Sequence, residues 1–293
     1  NKIFDGKSNG ELYYSHIGSE FVGEIIAKGK RVCGLEIGDW VIPNIAYPSF
    51  DKSYIPGLPT NGASKRMEIF SENKLLKVPK TYPIEVLAAF PIAGFTAYSM
   101  IRKVIEPHMN VLVTAARSST SLAVISALSE LPVNIYAMTT DYTCINILKQ
   151  MGVKDVIIVD LKKEMLDKEV IKKIFEIGCF DAVIDPFFDI YFSRIIGFLK
   201  MNSKYITCGL FNQFSDTSHT SLREIKMRDI FIHLMKNNIS LIGNCIGEVQ
   251  DGNTALKNLE IGKFTVKIDH VYHYGEEKAF FNRSFTDSTK LGK

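Results

Sequence analysis

From residue 91 onward, short apolar runs alternate with stretches in which apolar positions recur every three to four residues. The change of period is sharpest in Asn110-Val-Leu-Val-Thr-Ala-Ala-Arg-Ser-Ser-Thr-Ser-Leu-Ala123. Its β-branched run at 111–113 has strand character, whereas Val124, Ala127, Leu128 and Leu131 fall at i, i+3, i+4 and i+7, the spacing of one helix face. The same reading predicts strands at 111–114, 133–138, 155–159, 181–185, 204–208 and 239–243. Helices are predicted at about 120–131, 142–151, 164–177, 189–199 and 222–236. Alternation of this kind predicts a parallel sheet covered by helices on both faces.

Before residue 80 the pattern differs. Short strands at 21–26, 38–43, 67–70 and 75–79, broken by turns, predict a small β-rich unit. A long loop follows the second of them, with Pro43, Pro48, Pro56, Gly57, Pro59 and Gly62 interleaved with Tyr47, Phe50 and Tyr54. Loops of that length commonly carry function. After Phe264, β character is expected at 266–272, followed by an amphipathic helix at 276–285.

Composition narrows the function. In 293 residues, ample for two domains, 35 basic residues face 32 acidic ones, a formal charge of +3. That balance supports neither a nucleic-acid partner nor an anionic membrane surface. Apolar runs fall short of the roughly 18 to 20 residues of a membrane helix, and the first residues do not read as a signal peptide. Cys33, Cys144, Cys179, Cys208 and Cys245 are scattered with no C-x-x-C spacing, as expected for reduced thiols in the cytoplasm.

The turn at 114–121 carries the most chemistry. A helix beginning at 118–121 presents unpaired backbone N–H groups and the positive end of its dipole, which suits a pyrophosphate. The glycines usual at such a turn are missing. Serine is the smallest replacement that keeps a polar side chain, and its hydroxyl is a possible phosphate donor.

Five landmarks, taken in order, resemble the medium-chain dehydrogenase/reductase superfamily, in particular its zinc-free quinone oxidoreductase and enoyl reductase branches. Gly18-Ser-Glu-Phe-Val-Gly-Glu24 is similar to Gly-His-Glu-x-x-Gly-x-Val, and Gly38-Asp-Trp-Val41 to Gly-Asp-Arg-Val. Asn61-Gly-Ala-Ser-Lys-Arg-Met67 resembles Gly-Gly-Tyr-Ala-Glu-Tyr. Phe90-Pro-Ile-Ala-Gly-Phe-Thr-Ala-Tyr98 resembles Leu-Pro-x-Ala-x-x-Thr-Ala-Tyr, and Phe180-Asp-Ala-Val-Ile-Asp185 the family's buried Val-Asp-x-Val-x-Asp strand. The resemblance implies an α/β fold: a GroES-like β-barrel catalytic domain (1–88 plus 264–293) with an inserted Rossmann doubly wound parallel-sheet domain (89–263). It also places further residues before Asn1 and a last strand after Lys293, and implies a homodimer joined through the edge strand at 238–243.

Three departures from the family pattern bear on chemistry. Ser19 and Ile92 stand where zinc-dependent members carry a His and a Cys, and the four-cysteine structural lobe is absent from 44–60, so no zinc is expected. The zinc-free turn Ala-x-x-Gly-x-x-Gly becomes Ala115-x-x-Ser118-x-x-Ser121. At the end of the second strand, Thr139 and Thr140 do not repel a 2′-phosphate, which favours NADPH over NADH. Asp141 is the alternative, an acid that reads a ribose 2′-OH, and Cys144 replaces a lysine common in the quinone reductase branch. The resemblance thus assigns the cofactor to Thr96, Ala115, Ala116, Arg117, Ser118, Ser119, Thr120, Ser121, Thr139, Thr140, Gly209 and Leu210. For Arg117 two readings stay open, a contact to pyrophosphate or ribose and a solvated loop side chain. Ser19, Tyr47, Tyr54 and Phe211 are the expected substrate-pocket residues, while Glu20 is expected to be a structural hydrogen-bond partner.

The resemblance implies hydride transfer to an activated C=C bond or a quinone, on a small-molecule or peptide substrate. A dehydroalanine reductase of a bacterial peptide pathway and a non-catalytic Rossmann-fold binding protein with a degenerate cofactor site are the alternatives.

Overall fold

The structure, a computed structural model, describes residues 7–8, 11–12, 16–46, 58–211, 227–287 and 289–293. Lys7–Ser8 (β1) pairs antiparallel with Glu11–Leu12 (β2). Gly23–Glu24 (β3), Trp40–Pro43 (β4) and Leu75–Val78 (β5) form a three-stranded antiparallel sheet. The expected strand at 67–70 does not form, although all four residues are described, and Ile69 is left almost fully exposed.

Asn110–Val113 (β6), Asn134–Thr139 (β7), Asp155–Ile158 (β8), Phe180–Asp185 (β9), Leu199–Thr207 (β10) and Ser240–Gly243 (β11) form one sheet. Its order is β11-β10-β9-β6-β7-β8 and every pairing is parallel. This is the doubly wound arrangement, with strand order reversing at the β6/β9 boundary, where ligand crevices open in such sheets. The inner strands are covered on both faces, which explains their continuous apolar runs. Val111, Val113, Ala182, Ile184 and Ile206 join one core cluster, and Leu112, Val183 and Tyr205 join the other, following the strand's period of two.

Between these strands lie Ser119–Leu128 (α2), Ile145–Gln150 (α3), Lys168–Ile177 (α4), Phe188–Ile195 (α5) and Met227–Asn237 (α6). All overlap the helices expected from periodicity. Two long helices escaped that reading: Ile84–Val104 (α1) and Val249–Glu260 (α7). α1 holds Pro91 and Gly94, and α7 holds Gly252, residues that read locally as breakers. Packing explains them. A Cβ on Gly252 would sit 2.0 Å from the Phe95 ring and one on Gly247 2.5 Å from the Phe95 carbonyl, so these glycines let α7 close onto α1. Arg102 Nε then donates to Asp251 Oδ1 at 2.8 Å across the helix pair.

By length and composition α1 would suffice to cross a membrane, but 67% of its apolar window is buried inside the protein. The expected strand at 266–272, all described, is absent. The segment is instead held by the last residues, with Lys293 N–H donating to Lys267 O at 3.0 Å and Asp269 N–H to Lys293 O at 2.7 Å. Glu277–Phe285 (α8) anchors it through Arg283, whose Nε donates to Asp269 Oδ2 at 2.7 Å.

Candidate functional site

The end of β6 leads into a turn fixed from beneath by hydrogen bonds. Thr114 N–H donates to Ile184 O at 3.1 Å and Ala116 N–H to Met138 O at 2.9 Å, tying the turn to both neighbouring strands. Ala115 takes a left-handed conformation with φ of 45°, tolerable for alanine and poor for any β-branched residue. Below it the fully buried Asp185 accepts from Thr114 Oγ1 at 2.5 Å, from the Phe187 amide at 2.9 Å and from the Tyr205 hydroxyl. Burial pushes its carboxyl above 3.8, and the three donors oppose that rise in part.

The two serines complete the turn. Ser118 is the N-cap of α2, its Oγ accepting from Ser121 N–H at 3.1 Å. The Ser118 hydroxyl donates to Ser121 Oγ at 3.0 Å, and the Ser121 hydroxyl donates to Thr114 O at 2.7 Å. Both hydroxyls are therefore turned into the loop. Ser119 and Thr120 open the helix, where backbone N–H groups have no partner within it.

The end of β7 faces this turn. Thr139 is buried and its Oγ1 accepts from Asp141 N–H at 3.3 Å and from the Cys144 thiol, while Thr140 is exposed. Asp141 accepts the Thr143 amide on Oδ1 at 2.8 Å and Arg117 Nη1 on Oδ2 at 2.7 Å. The Thr143 hydrogen bonds, and then the arginine, hold its carboxyl below the usual value. Arg117 also donates to Lys290 O at 2.9 Å, and Gly292 N–H donates to Arg117 O at 3.1 Å. The solvated-loop reading of Arg117 is thereby corrected: its side chain is only 16% exposed.

At the end of β10, burial pushes the Cys208 thiol up to about 12, so it is no nucleophile near neutral pH. Gly209 approaches the β9 end closely, since a Cβ there would lie 3.1 Å from Pro186 O. Leu210 and Phe211 are exposed, and Phe211 packs edge-on against Phe187 with ring centroids 5.4 Å apart. Thr96 is buried on α1. Tyr47 and Tyr54 lie outside the described residues.

The Ser19 corner is assembled differently. Pro91 removes one helical hydrogen bond from α1, and the next amide, Ile92 N–H, donates to Glu20 Oε1 at 2.8 Å. The other carboxylate oxygen of Glu20 pairs with Lys293 Nζ. The half-buried Ser19 and Ile92 are thus brought to one place, with Glu20 serving as a structural hydrogen-bond partner. Among the described residues, no three His, Cys, Asp or Glu side chains cluster as a metal site.

Sequence reasoning singled out the turn but missed the Thr114–Asp185–Tyr205 network and the Arg117–Asp141 pair. The first was detectable as Asp185 closing the buried apolar run Ala182 to Ile184. The second joins residues far apart in the sequence, with no local signal.

No family model matches the chain. It is similar to the mitochondrial enoyl-[acyl-carrier-protein] reductase of Rattus norvegicus, with 36% identity over 116 residues, 39% of this chain and 28% of the relative. The chain thus spans well under half the length of that curated relative. Among solved structures, a thermostable alcohol dehydrogenase from Pyrobaculum aerophilum with bound cobalt and zinc superposes with a TM-score of 0.72 at 20% identity, over 99% of this chain and 84% of that one. A quinone oxidoreductase from Pseudomonas syringae gives 0.71 at 17% identity, over 98% and 84%. The two scores are nearly equal, so the fold alone does not separate the alcohol dehydrogenase from the quinone oxidoreductase. The chain thus has the fold of these dehydrogenases and oxidoreductases, and over 39% of its length it is similar in sequence to an enoyl-[acyl-carrier-protein] reductase.

Proposed function

We propose that this protein is a zinc-independent, NADPH-dependent reductase that delivers hydride to a C=C bond conjugated with a carbonyl. The observation that carries the reading is the turn at 114–121: its glycines are replaced, yet strand, turn and capped helix keep the form that receives a pyrophosphate. The residues there fit such a group. Ala115, Ala116, Ser118 and Ser121 carry nothing larger than a hydroxymethyl, the serine hydroxyls point inward, and the N–H groups of Ser119 and Thr120 begin the helix. Gly209 and Leu210, at the end of β10, are the proposed neighbours of the nicotinamide, and Phe211 with Ser19 the proposed walls of the substrate pocket. NADPH, when bound, supplies the hydride.

Ser19 and Ile92 do not fit zinc. A neutral hydroxyl is a poor ligand and an isoleucine none, while Glu20 is already committed to the Ile92 amide and Lys293. An acceptor that is already polarised needs no Lewis acid, which favours enoyl compounds over simple alcohols. Likeness to an enoyl reductase supports that choice, and likeness to a quinone oxidoreductase makes quinones the second acceptor class.

The test is consumption of NADPH by the purified protein offered a 2-enoyl thioester, a quinone or a simple ketone. Turnover of the first with little of the last is expected. NADPH binding without turnover of any activated acceptor would favour a non-catalytic binding protein.

We also propose a homodimer joined through β11, the outermost strand. It is partly exposed, and Met227, Phe231 and Met235 line up at four-residue spacing on exposed α6. Five free cysteines support a reducing compartment, which we take to be the cytoplasm.

A further inference from the structure

Arg117 stands where the first turn of the doubly wound sheet meets the end of its second strand, the place such sheets give to the adenosine ribose. Among the described residues its guanidinium is held by Asp141 Oδ2 at 2.7 Å and by Lys290 O at 2.9 Å. The other oxygen of Asp141 is taken by the Thr143 amide at 2.8 Å, and its backbone is pinned by Thr139 Oγ1. Each carboxylate oxygen therefore already accepts a hydrogen bond, and Oδ2 is spent on the arginine. The arginine lies between that acid and the turn.

We propose that Arg117 and Asp141 are the cofactor-selecting pair, in which Arg117 takes the 2′-phosphate of NADPH and Asp141 competes with that phosphate for the guanidinium. The inference rests on the reading of the turn as a dinucleotide site. A guanidinium offers planar paired donors that match phosphate and carboxylate alike, and the phosphate, with more charge and more acceptor oxygens, displaces the carboxylate. Asp141 keeps the arginine oriented when no phosphate is present and lowers the preference for NADPH when one is. Without Arg117, Asp141 regains an open oxygen, and the site then suits a 2′-OH.

The pair makes opposite predictions for its two members. Binding of NADPH and NADH is measured by fluorescence titration of the wild type, Arg117→Gln and Asp141→Asn, each with its unfolding temperature. Arg117→Gln is expected to weaken NADPH by roughly 10- to 100-fold and to leave NADH unchanged or tighter. Asp141→Asn is expected to tighten NADPH and not NADH. Equal weakening of both nucleotides in Arg117→Gln would overturn the assignment, because the arginine would then serve a part common to both. Weaker NADPH binding in Asp141→Asn would overturn it too, and this arm decides alone where Arg117→Gln does not fold. A wild type that binds neither nucleotide removes the dinucleotide reading itself, whereas equal losses in the variants remove only this inference.

Discussion

The turn after β6 and the corner at Ser19 have both lost the residues that usually define them, and the consequences differ. At the turn, serines replace glycines and their hydroxyls are taken up locally: Ser118 caps Ser121, and Ser121 satisfies the Thr114 carbonyl. The backbone path survives, and with it the array of N–H groups. At the corner, Ser19 and Ile92 occupy the places of metal ligands, and the nearby carboxylate of Glu20 is spent on a backbone amide and Lys293. Position is kept there but donors are not. On the proposed function, binding by backbone outlasts a change of side chain at the turn, whereas binding by side chain does not at the corner.

The sharpest way to break this comparison is to fill the turn. Ser118→Trp is expected to abolish NADPH binding in a protein that still folds, with a loss of about 1 kcal/mol or more from the missing N-cap of α2; retained binding would place the phosphate elsewhere. At the corner, restoring donors with Ser19→His and Ile92→Cys together is expected to raise zinc uptake above that of the wild type in metal analysis. Stoichiometric tight zinc in the wild type would remove the contrast.

Next in size is the support beneath the turn. Asp185→Ala leaves two buried hydroxyls and an amide without their acceptor and is expected to cost about 3 kcal/mol or more in denaturant unfolding. The same residue gives a pH signature. Folding raises the Asp185 pKa above 3.8, so the stability it contributes by holding its proton is fully present below that value. That contribution is lost as pH rises through the folded pKa. Asp185→Asn cannot titrate, so the stability of the wild type relative to this variant is expected to fall from pH 4 toward neutrality. A flat difference would mean that the carboxyl titrates normally. The smallest expected effect is Ser121→Ala, which leaves the Thr114 carbonyl unpaired for about 1 kcal/mol.

Much of the parallel sheet was legible because its inner strands are buried on both faces and carry apolar runs, as in Val111 to Val113 and Ala182 to Ile184. α1 and α7 were not, because Pro91, Gly94 and Gly252 act as breakers locally, and the close fit of Gly252 against Phe95 exists only once the two helices pack. The expected strand at 266–272 failed for a related reason: its partners are the chain's last residues, through single bonds rather than a ladder. In the site, the small residues of the turn could be read in order, but the inward direction of the Ser118 and Ser121 hydroxyls depends on where Thr114 lies. The Arg117–Asp141 pair spans two βα units and exists only in three dimensions.

The central claim, that the glycine-poor turn holds a pyrophosphate through its backbone, is tested most directly by titrating the wild-type protein with NADPH and following the fluorescence of the reduced nicotinamide. Saturable binding, displaced by excess NADP⁺, is the predicted result. The absence of any binding at millimolar nucleotide would contradict it.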